Sequence, residues 1–120
     1  MNVMVVDDSP FIHMAVKNAL VSAGYEICGT FNNGAEAVAA YPNLKPDLLI
    51  MDVTMPVMDG ITAARKILLD FPEAKIMMLT AMGREDLVQE AKEIGIKAYK
   101  TNPFKANELV AAVAGVFSAC

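Results

Sequence analysis

Three short runs of apolar residues constrain the fold of this 120-residue chain more than any other feature. The runs are VMVV at 3–6, LLIM at 48–51 and IMML at 76–79, and none of them alternates apolar with polar residues. Strands buried on both faces have this pattern, which is typical of a parallel sheet covered by helices. Two weaker candidates, EICGT at 26–30 and KAYKT at 97–101, bring the predicted strands to five, and the two lysines of the second favour an exposed edge.

Helix patterns with a 3.6-residue period fill the gaps between these strands. Ser9-Pro10, Asn33-Gly34 and Asp59-Gly60 mark the starts of the first three helices, since each pair offers a good N-cap before the first turn. The last two helices are predicted at 84–94 and from 105 onward. Strict alternation of strands and helices favours right-handed crossovers and a doubly wound α/β sheet, in one domain over residues 1–120.

Polar side chains stand where these strands end, at the edge where doubly wound sheets bind their ligands. Asp7 and Asp8 follow the first strand and Asp52 the third, while Thr80 and Asn102 follow the fourth and fifth. Because parallel strands present their carboxyl ends at one edge, we expect these five side chains to converge there. Crowded carboxylates either take up a proton or hold a cation, and hard oxygen ligands suit Mg²⁺.

The aspartates also have a simpler interpretation, in which they only cap helices. Asp59, directly before Gly60, is well placed for that role. Capping does not call for two adjacent acids and a third from a neighbouring strand. A carboxylate beside a bound cation can instead attack a phosphoryl donor and form an acyl phosphate, to which the Thr80 hydroxyl could donate a hydrogen bond.

Four motifs together resemble the receiver domain of two-component response regulators, and in particular its stand-alone, chemotaxis-type form. They are MVVDDS, LLIMDVTMPVMDG, MMLTAMG and AYKTNPF, and they follow one another in the family's order and spacing along the whole chain. The resemblance implies a flavodoxin-like (βα)5 fold with strand order 2-1-3-4-5. It also implies a signalling phosphoacceptor and not an enzyme. Such a phosphoacceptor catalyses only its own phosphorylation and dephosphorylation.

The resemblance assigns a role to each acidic residue. Asp52 would accept a phosphoryl group from the phosphohistidine of a sensor histidine kinase or a phosphotransfer protein. Asp8 and Asp52 would ligate Mg²⁺ directly, and Asp7 would do so through water. Thr54 would add its backbone carbonyl to the ligands. Thr54 would also border the path of the hydrolytic water together with Met82, whose apolar side chain predicts slow dephosphorylation.

The resemblance also implies a conformational switch. Thr80 would move toward the phosphoryl group, and Tyr99 would swing inward behind it. That movement would repack the face of the fourth helix, fifth strand and fifth helix, to which a downstream effector protein would bind. Tyr99 could equally be an ordinary aromatic residue of an edge strand.

Asn102 departs from the family, in which a lysine almost always precedes this proline. The amide can donate a hydrogen bond, but it is shorter than lysine and carries no charge. Asn102 could be an ordinary turn residue before Pro103. Alternatively, Lys100, two residues earlier on the same strand face, could reach the rim, which is the edge of the sheet formed by the carboxyl ends of the strands. Otherwise the phosphorylated state is weakened and switches incompletely, or the domain is a receiver-like binding module that acts without phosphorylation.

Composition argues against several other classes. The net charge of −4 disfavours a nucleic-acid partner, and the longest apolar run, 109–117, is too short to span a membrane. Two cysteines are too few for a disulfide framework, and with no visible signal peptide we expect a cytoplasmic protein. His13, the single histidine, is expected to be solvated or at an edge.

The last helix has an unusual composition. Because the run 109–117 is apolar on all sides, it is either a helix covered by small residues or a partner or homodimer surface.

Two enzyme classes with a similar sheet do not fit the sequence. A haloacid-type phosphatase would need a second aspartate where Thr54 stands. A flavin carrier would need a Ser/Thr-rich phosphate loop where Asp7 and Asp8 stand.

Overall fold

A computed structural model shows a parallel sheet between two layers of helices, and it describes residues 1–81, 84–96 and 98–118. The described strands are β1 (Asn2–Val6), β2 (Glu26–Phe31), β3 (Leu48–Asp52), β4 (Ile76–Ala81) and β5 (Ala98–Asn102). The described helices are α1 (Pro10–Ser22), α2 (Gly34–Leu44), α3 (Gly60–Asp70), α4 (Glu85–Glu93) and α5 (Ala106–Ser118). All neighbouring strands are parallel in the order β2-β1-β3-β4-β5, which confirms the doubly wound, flavodoxin-like fold.

The apolar runs form the centre of the sheet, as predicted. Residues 3–6 and 48–51 are all 0% exposed. Their side chains alternate between two cores, one formed with α2, α3 and α4 and the other with α1 and α5. Full burial of a valine, leucine or isoleucine contributes about 1.5–3 kcal/mol, so these two strands hold the sheet that supports the rim.

The predicted N-caps of the first three helices are confirmed. Ser9 Oγ accepts a hydrogen bond from the backbone N–H of Ile12 at 3.4 Å. Asn33 caps α2 in the same way, and Asp59 caps α3 by accepting from the N–H of Thr62 at 2.7 Å. For Asp59 the capping interpretation therefore holds.

β5 lies at the edge of the sheet, and its described residues extend one residue beyond the predicted end of the strand. Asn102 is therefore the last residue of the strand, where it pairs with Ala81, and Lys97 lies outside the described residues. On α5, Leu109 and Val113 are buried, whereas Ala111, Ala114 and Gly115 are exposed, so the apolar run presents small residues outward. In the described part of the chain, no helix has both the length and the hydropathy to cross a membrane.

Candidate functional site

The structure gathers three aspartates at the carboxyl edge of the two central strands. Asp7 and Asp8 follow β1, and Asp52 ends β3. Each offers one carboxylate oxygen, and these atoms lie within 4.8 Å of one another. Asp7 is buried, Asp52 is half-buried and Asp8 is exposed, so the cluster opens to solvent on one side.

Asp7 is the most constrained of the three. Its backbone N–H donates to the carbonyl of Phe31 at 3.0 Å, and its Oδ1 accepts from the backbone N–H of Ser9 at 2.9 Å. The other oxygen, Oδ2, is buried without a hydrogen-bond partner among the described residues. Burial raises the pKa of this carboxyl, and the neighbouring Asp8 adds to the rise. An orphaned carboxylate oxygen beside two further acids fits a hard divalent cation such as Mg²⁺.

Asp52 has the most strongly shifted acidity in the cluster. Burial, followed by the charge of Asp7, raises the pKa of its carboxyl to about 7. Its Oδ1 accepts a long hydrogen bond of 3.4 Å from the backbone N–H of Thr54, which opposes the rise. In the absence of a cation this carboxyl is therefore partly protonated at neutral pH, and a bound cation would favour the ionised, nucleophilic form.

The loop after Asp52 folds back tightly over the strand end. The backbone N–H of Gly60 donates to the carbonyl of Val53 at 2.8 Å, and Val53 in turn donates to Leu79 on β4 at 3.1 Å. A Cβ at Gly60 would lie 2.1 Å from the carbonyl oxygen of Asp52, which is too close for any side chain. Gly60 was predicted only as a helix start, and its contact with Asp52 was missed because it depends on how the loop folds.

β4 and β5 supply the neutral half of the rim. Thr80 is 3% exposed and pairs with Thr101 on β5. Asn102 is half-buried, and the peptide bond that joins it to Pro103 is cis. Strand alternation places Lys100 on the same face as Asn102 and opposite to Tyr99.

Tyr99 packs partly buried against the core that lies under α4. Its hydroxyl donates to the carbonyl of Ile96, and the Nζ of Lys92 lies 5.8 Å from the ring centroid. These contacts hold the ring toward the start of β5 rather than toward the acidic cluster. Met82, predicted to tune hydrolysis, lies outside the described residues.

The sequence predicts a solvated or edge position for His13, and the structure adds a contact that the sequence does not predict. His13 is half-buried on α1, and its Nε2 donates to the carbonyl of Phe31 at 2.9 Å. That carbonyl is also the acceptor for the Asp7 N–H. The position of His13 four residues after the Ser9 N-cap places it near the rim, but only the fold brings Phe31 within its reach.

A cavity lies away from this cluster. It has a volume of about 620 Å³ and is bordered by the amino ends of β4 and β5, including Ile76 and Ala98. At their carboxyl ends, the same strands carry the rim residues: Thr80 lies on β4 and Asn102 on β5. Ligands of doubly wound sheets bind at the carboxyl edge, so the acidic cluster rather than this cavity is the candidate site.

The fold and the acidic cluster define a class: a doubly wound α/β domain with a group of carboxylates at the strand ends that could hold a metal ion. The model of the response regulator receiver domain matches residues 3–114. The chain belongs to this family.

Individual relatives span nearly the whole chain. The chemotaxis protein CheY of Thermotoga maritima is 43% identical over 111 residues, with 92% of each chain covered. Protein CcdB of Bacillus subtilis is 42% identical over 114 residues, with 95% of each chain covered. Among solved structures, the CheX–CheY complex with BeF3 and magnesium from Borrelia burgdorferi matches with a TM-score of 0.93 and 34% identity, covering 98% of this chain and 89% of that one. The predicted receiver resemblance is thereby confirmed.

Proposed function

We propose that this receiver accepts a phosphoryl group on Asp52 in a reaction that depends on Mg²⁺. The observation that carries the proposal is the approach of three carboxylates to within 4.8 Å, with one buried oxygen of Asp7 that has no hydrogen-bond partner in the described part of the chain. Such crowding is unfavourable without a cation, since like charges at about 4 Å repel by roughly 4 kcal/mol at an effective dielectric of about 20. A bound cation would relieve this repulsion between the carboxylates.

The ligand set follows the acidic cluster. Asp8 and Asp52 would hold Mg²⁺ directly, Asp7 would hold it through water, and the backbone carbonyl of Thr54 would complete the protein ligands. When bound, the ion would neutralise the carboxylates and draw phosphate oxygens to the rim. Asp7, held at its N–H and at Oδ1, would keep its free oxygen directed into the site.

Asp52 would be the nucleophile. One of its carboxylate oxygens attacks the phosphorus of a phosphohistidine, the N–P bond breaks, and the imidazole leaves as the O–P bond forms. The Thr54 N–H, which lies 3.4 Å from Oδ1, orients the carboxylate. Thr80, buried near the end of β4, would donate a hydrogen bond from its hydroxyl to a phosphoryl oxygen.

Asn102 would weaken the phosphorylated state. A hydrogen bond to a charged group contributes about 1.5–3 kcal/mol, and the amide replaces the charged donor usual in the family with a shorter, neutral one. Mg²⁺ binding, which depends on the carboxylates, would persist. We expect phosphorylation to proceed but to shift Tyr99 and its surroundings only partly, unless Lys100 extends to the rim and supplies the charge.

The partners follow from the family. A sensor histidine kinase or phosphotransfer protein would supply the phosphoryl group, and an effector protein would bind the face formed by α4, β5 and α5. The exposed Ala111, Ala114 and Gly115 on α5 would also permit a homodimer through that helix. Thr54 and Met82 would set the rate of dephosphorylation.

The test is phosphorylation with acetyl phosphate and Mg²⁺, read by intact-protein mass spectrometry. We expect the added mass of one phosphoryl group on the wild type and none on Asp52→Asn. Asp59→Asn is the matched control, because it removes a nearby exposed carboxylate but keeps a side chain that caps α3 equally well. Labelling that persists in Asp52→Asn would refute Asp52 as the acceptor.

A second function is favoured by Asn102 alone. In that case the domain would bind its partner without phosphorylation, with the neutral half of the rim no longer responding to a phosphoryl group. Titration with Mg²⁺ and then beryllofluoride, followed by NMR, separates the two. Shifts confined to residues near the aspartates support the second function, whereas shifts that reach Tyr99 support phospho-signalling.

A further inference from the structure

The backbone carbonyl of Phe31, at the end of β2, accepts two hydrogen bonds at the rim. One comes from the backbone N–H of Asp7 at 3.0 Å and the other from Nε2 of His13 at 2.9 Å. Because a carbonyl oxygen can only accept, the His13 ring carries a proton on Nε2 in this arrangement. A single atom of β2 therefore connects α1 to the main chain of an aspartate in the acidic cluster.

We infer that His13 is a positioning residue for the cation site, and that it holds the Asp7 main chain in place through the Phe31 carbonyl. The side chain of Asp7 is held from the same helix, since its Oδ1 accepts from Ser9, the N-cap of α1. α1 thus fixes Asp7 at two points. The inference rests on the proposed function, because it assigns His13 a part in binding Mg²⁺.

The same strand end also connects to the loop that follows Asp52. Three residues beyond Phe31, the backbone N–H of Gly34 donates to the carbonyl of Met58 at 3.0 Å. A Cβ at Gly34 would lie 2.6 Å from that oxygen, so the start of α2 and this loop are in close contact. A displacement of Phe31 would therefore disturb both sides of the acidic cluster.

The role depends on the donated hydrogen bond and not on the charge of the ring. Both the Nε2-protonated neutral form and the cationic form of histidine carry the required proton. Glutamine at position 13 can place an amide donor at a similar distance along the side chain. Leucine has a similar bulk but no donor, so the two variants separate the hydrogen bond from the packing.

The test measures Mg²⁺ affinity by NMR titration in three variants. For His13→Leu we expect the dissociation constant to rise about threefold to tenfold. This is less than the roughly 10–100-fold for loss of a partner bonded directly to a metal ligand, because His13 acts through the Phe31 carbonyl. For His13→Gln we expect a value within about twofold of the wild type, since the donor is restored. Met14→Leu, an exposed neighbour on α1, is the control and should leave the affinity unchanged.

A second readout does not need the metal. Hydrogen exchange of the Asp7 amide in Mg²⁺-free protein should be faster in His13→Leu and unchanged in His13→Gln. Equal Mg²⁺ affinity in His13→Leu and wild type would overturn the inference, and so would a His13→Gln variant as weak as His13→Leu. If the wild type binds no Mg²⁺, the proposed function fails, and the Asp7 exchange rates then decide whether His13 still holds this backbone.

Discussion

The two halves of the rim are built differently. On β1 and β3 the acidic side chains gather within 4.8 Å, and the backbone that carries them is tied to β2, α1 and the β3–α3 loop. At the ends of β4 and β5 the rim residues Thr80 and Asn102 are neutral, and β5 is an edge strand that is only partly buried. Asn102 stands there at the position where the family resemblance implies a lysine.

This difference separates two properties that the family normally combines. In the proposed function, cation binding would depend on the carboxylate half, formed by Asp7, Asp8 and Asp52. Stabilisation of the phosphoryl group and the response of Tyr99 would depend on the β4–β5 half, formed by Thr80 and Asn102, where we propose that an amide replaces a charged donor. We therefore expect substitutions in the first half to affect folding and Mg²⁺ together, and substitutions in the second half to affect the phosphorylated state.

The largest effect is expected from a methyl group placed against the carboxylate half. In Gly60→Ala the new Cβ would meet the Asp52 carbonyl oxygen at 2.1 Å, and backbone at this contact cannot move aside cheaply. We expect a loss of about 3 kcal/mol in the free energy of unfolding, at the upper end for overpacking, measured by urea denaturation. Mg²⁺ affinity should fall as well.

Gly115→Ala is the matched control for this substitution. Nothing lies within 4 Å of a Cβ at this exposed position of α5, so the change should stabilise the helix by about 0.5–1 kcal/mol. Equal effects of the two substitutions would contradict the close packing of Gly60 over the end of β3.

The next largest effect is expected from restoring the charge in the β4–β5 half. In Asn102→Lys we expect the lifetime of the beryllofluoride complex to lengthen about tenfold, the lower range of a charged hydrogen bond. Mg²⁺ should bind severalfold more weakly, because a new cation lies beside the carboxylates. Asn107→Lys, an exposed position on α5, is the control for charge alone. An unchanged lifetime in Asn102→Lys would mean that Lys100 already supplies the charge or that position 102 makes no contact.

A smaller effect is expected from pH. The Asp52 carboxyl has its pKa raised to about 7 in the folded protein, against 3.8 as its ordinary value. The folded state therefore binds the proton more tightly than the unfolded chain, and this contribution to stability is complete below the ordinary pKa and is lost as the pH rises through 7. After discounting for the exposed part of the group, we expect the loss to be about 1 kcal/mol.

Two comparisons isolate this effect in denaturation measured from pH 5 to pH 8. Asp52→Asn should remove this part of the pH dependence, since the amide does not titrate. Mg²⁺ should stabilise the wild type more at pH 8 than at pH 6, because the ion competes with the proton for the carboxylate. A wild type and an Asp52→Asn variant with parallel pH profiles would show that Asp52 titrates normally.

The sequence predicts the fold well because each level of the pattern agrees. The buried runs specify the strands, the caps at Ser9, Asn33 and Asp59 specify the helices, and parallel topology brings the strand ends to one edge. What the sequence does not predict are contacts made through the backbone of loops. The bond from His13 to Phe31 and the approach of Gly60 to Asp52 depend on how connections fold, and no periodicity encodes them.

Val57 is a third feature that depends on how a loop folds. Relief of its backbone strain is the smallest effect that we predict. It is 84% exposed in the loop after Asp52 and has a φ of 69°, which is unfavourable for a β-branched residue. The N–H of Met58 donates to the carbonyl of Pro56 at 2.7 Å, so Val57 is the centre of a tight, strained turn.

In Val57→Gly the strain of about 1–2 kcal/mol is relieved, while the greater freedom of the unfolded chain offsets about 0.5–1 kcal/mol of the gain. We expect a net stabilisation of about 0.5–1 kcal/mol in urea denaturation. Val21→Gly, at a half-exposed position in α1, should instead destabilise by about 0.5 kcal/mol, because there the backbone is already helical. The strained turn lies in the loop after Asp52, in the carboxylate half of the rim. Mg²⁺ titration of Val57→Gly therefore tests whether Mg²⁺ affinity depends on the strained backbone of this turn. An affinity within about twofold of the wild type would assign the cation site to the strand ends alone, whereas a larger loss would make this turn part of the site.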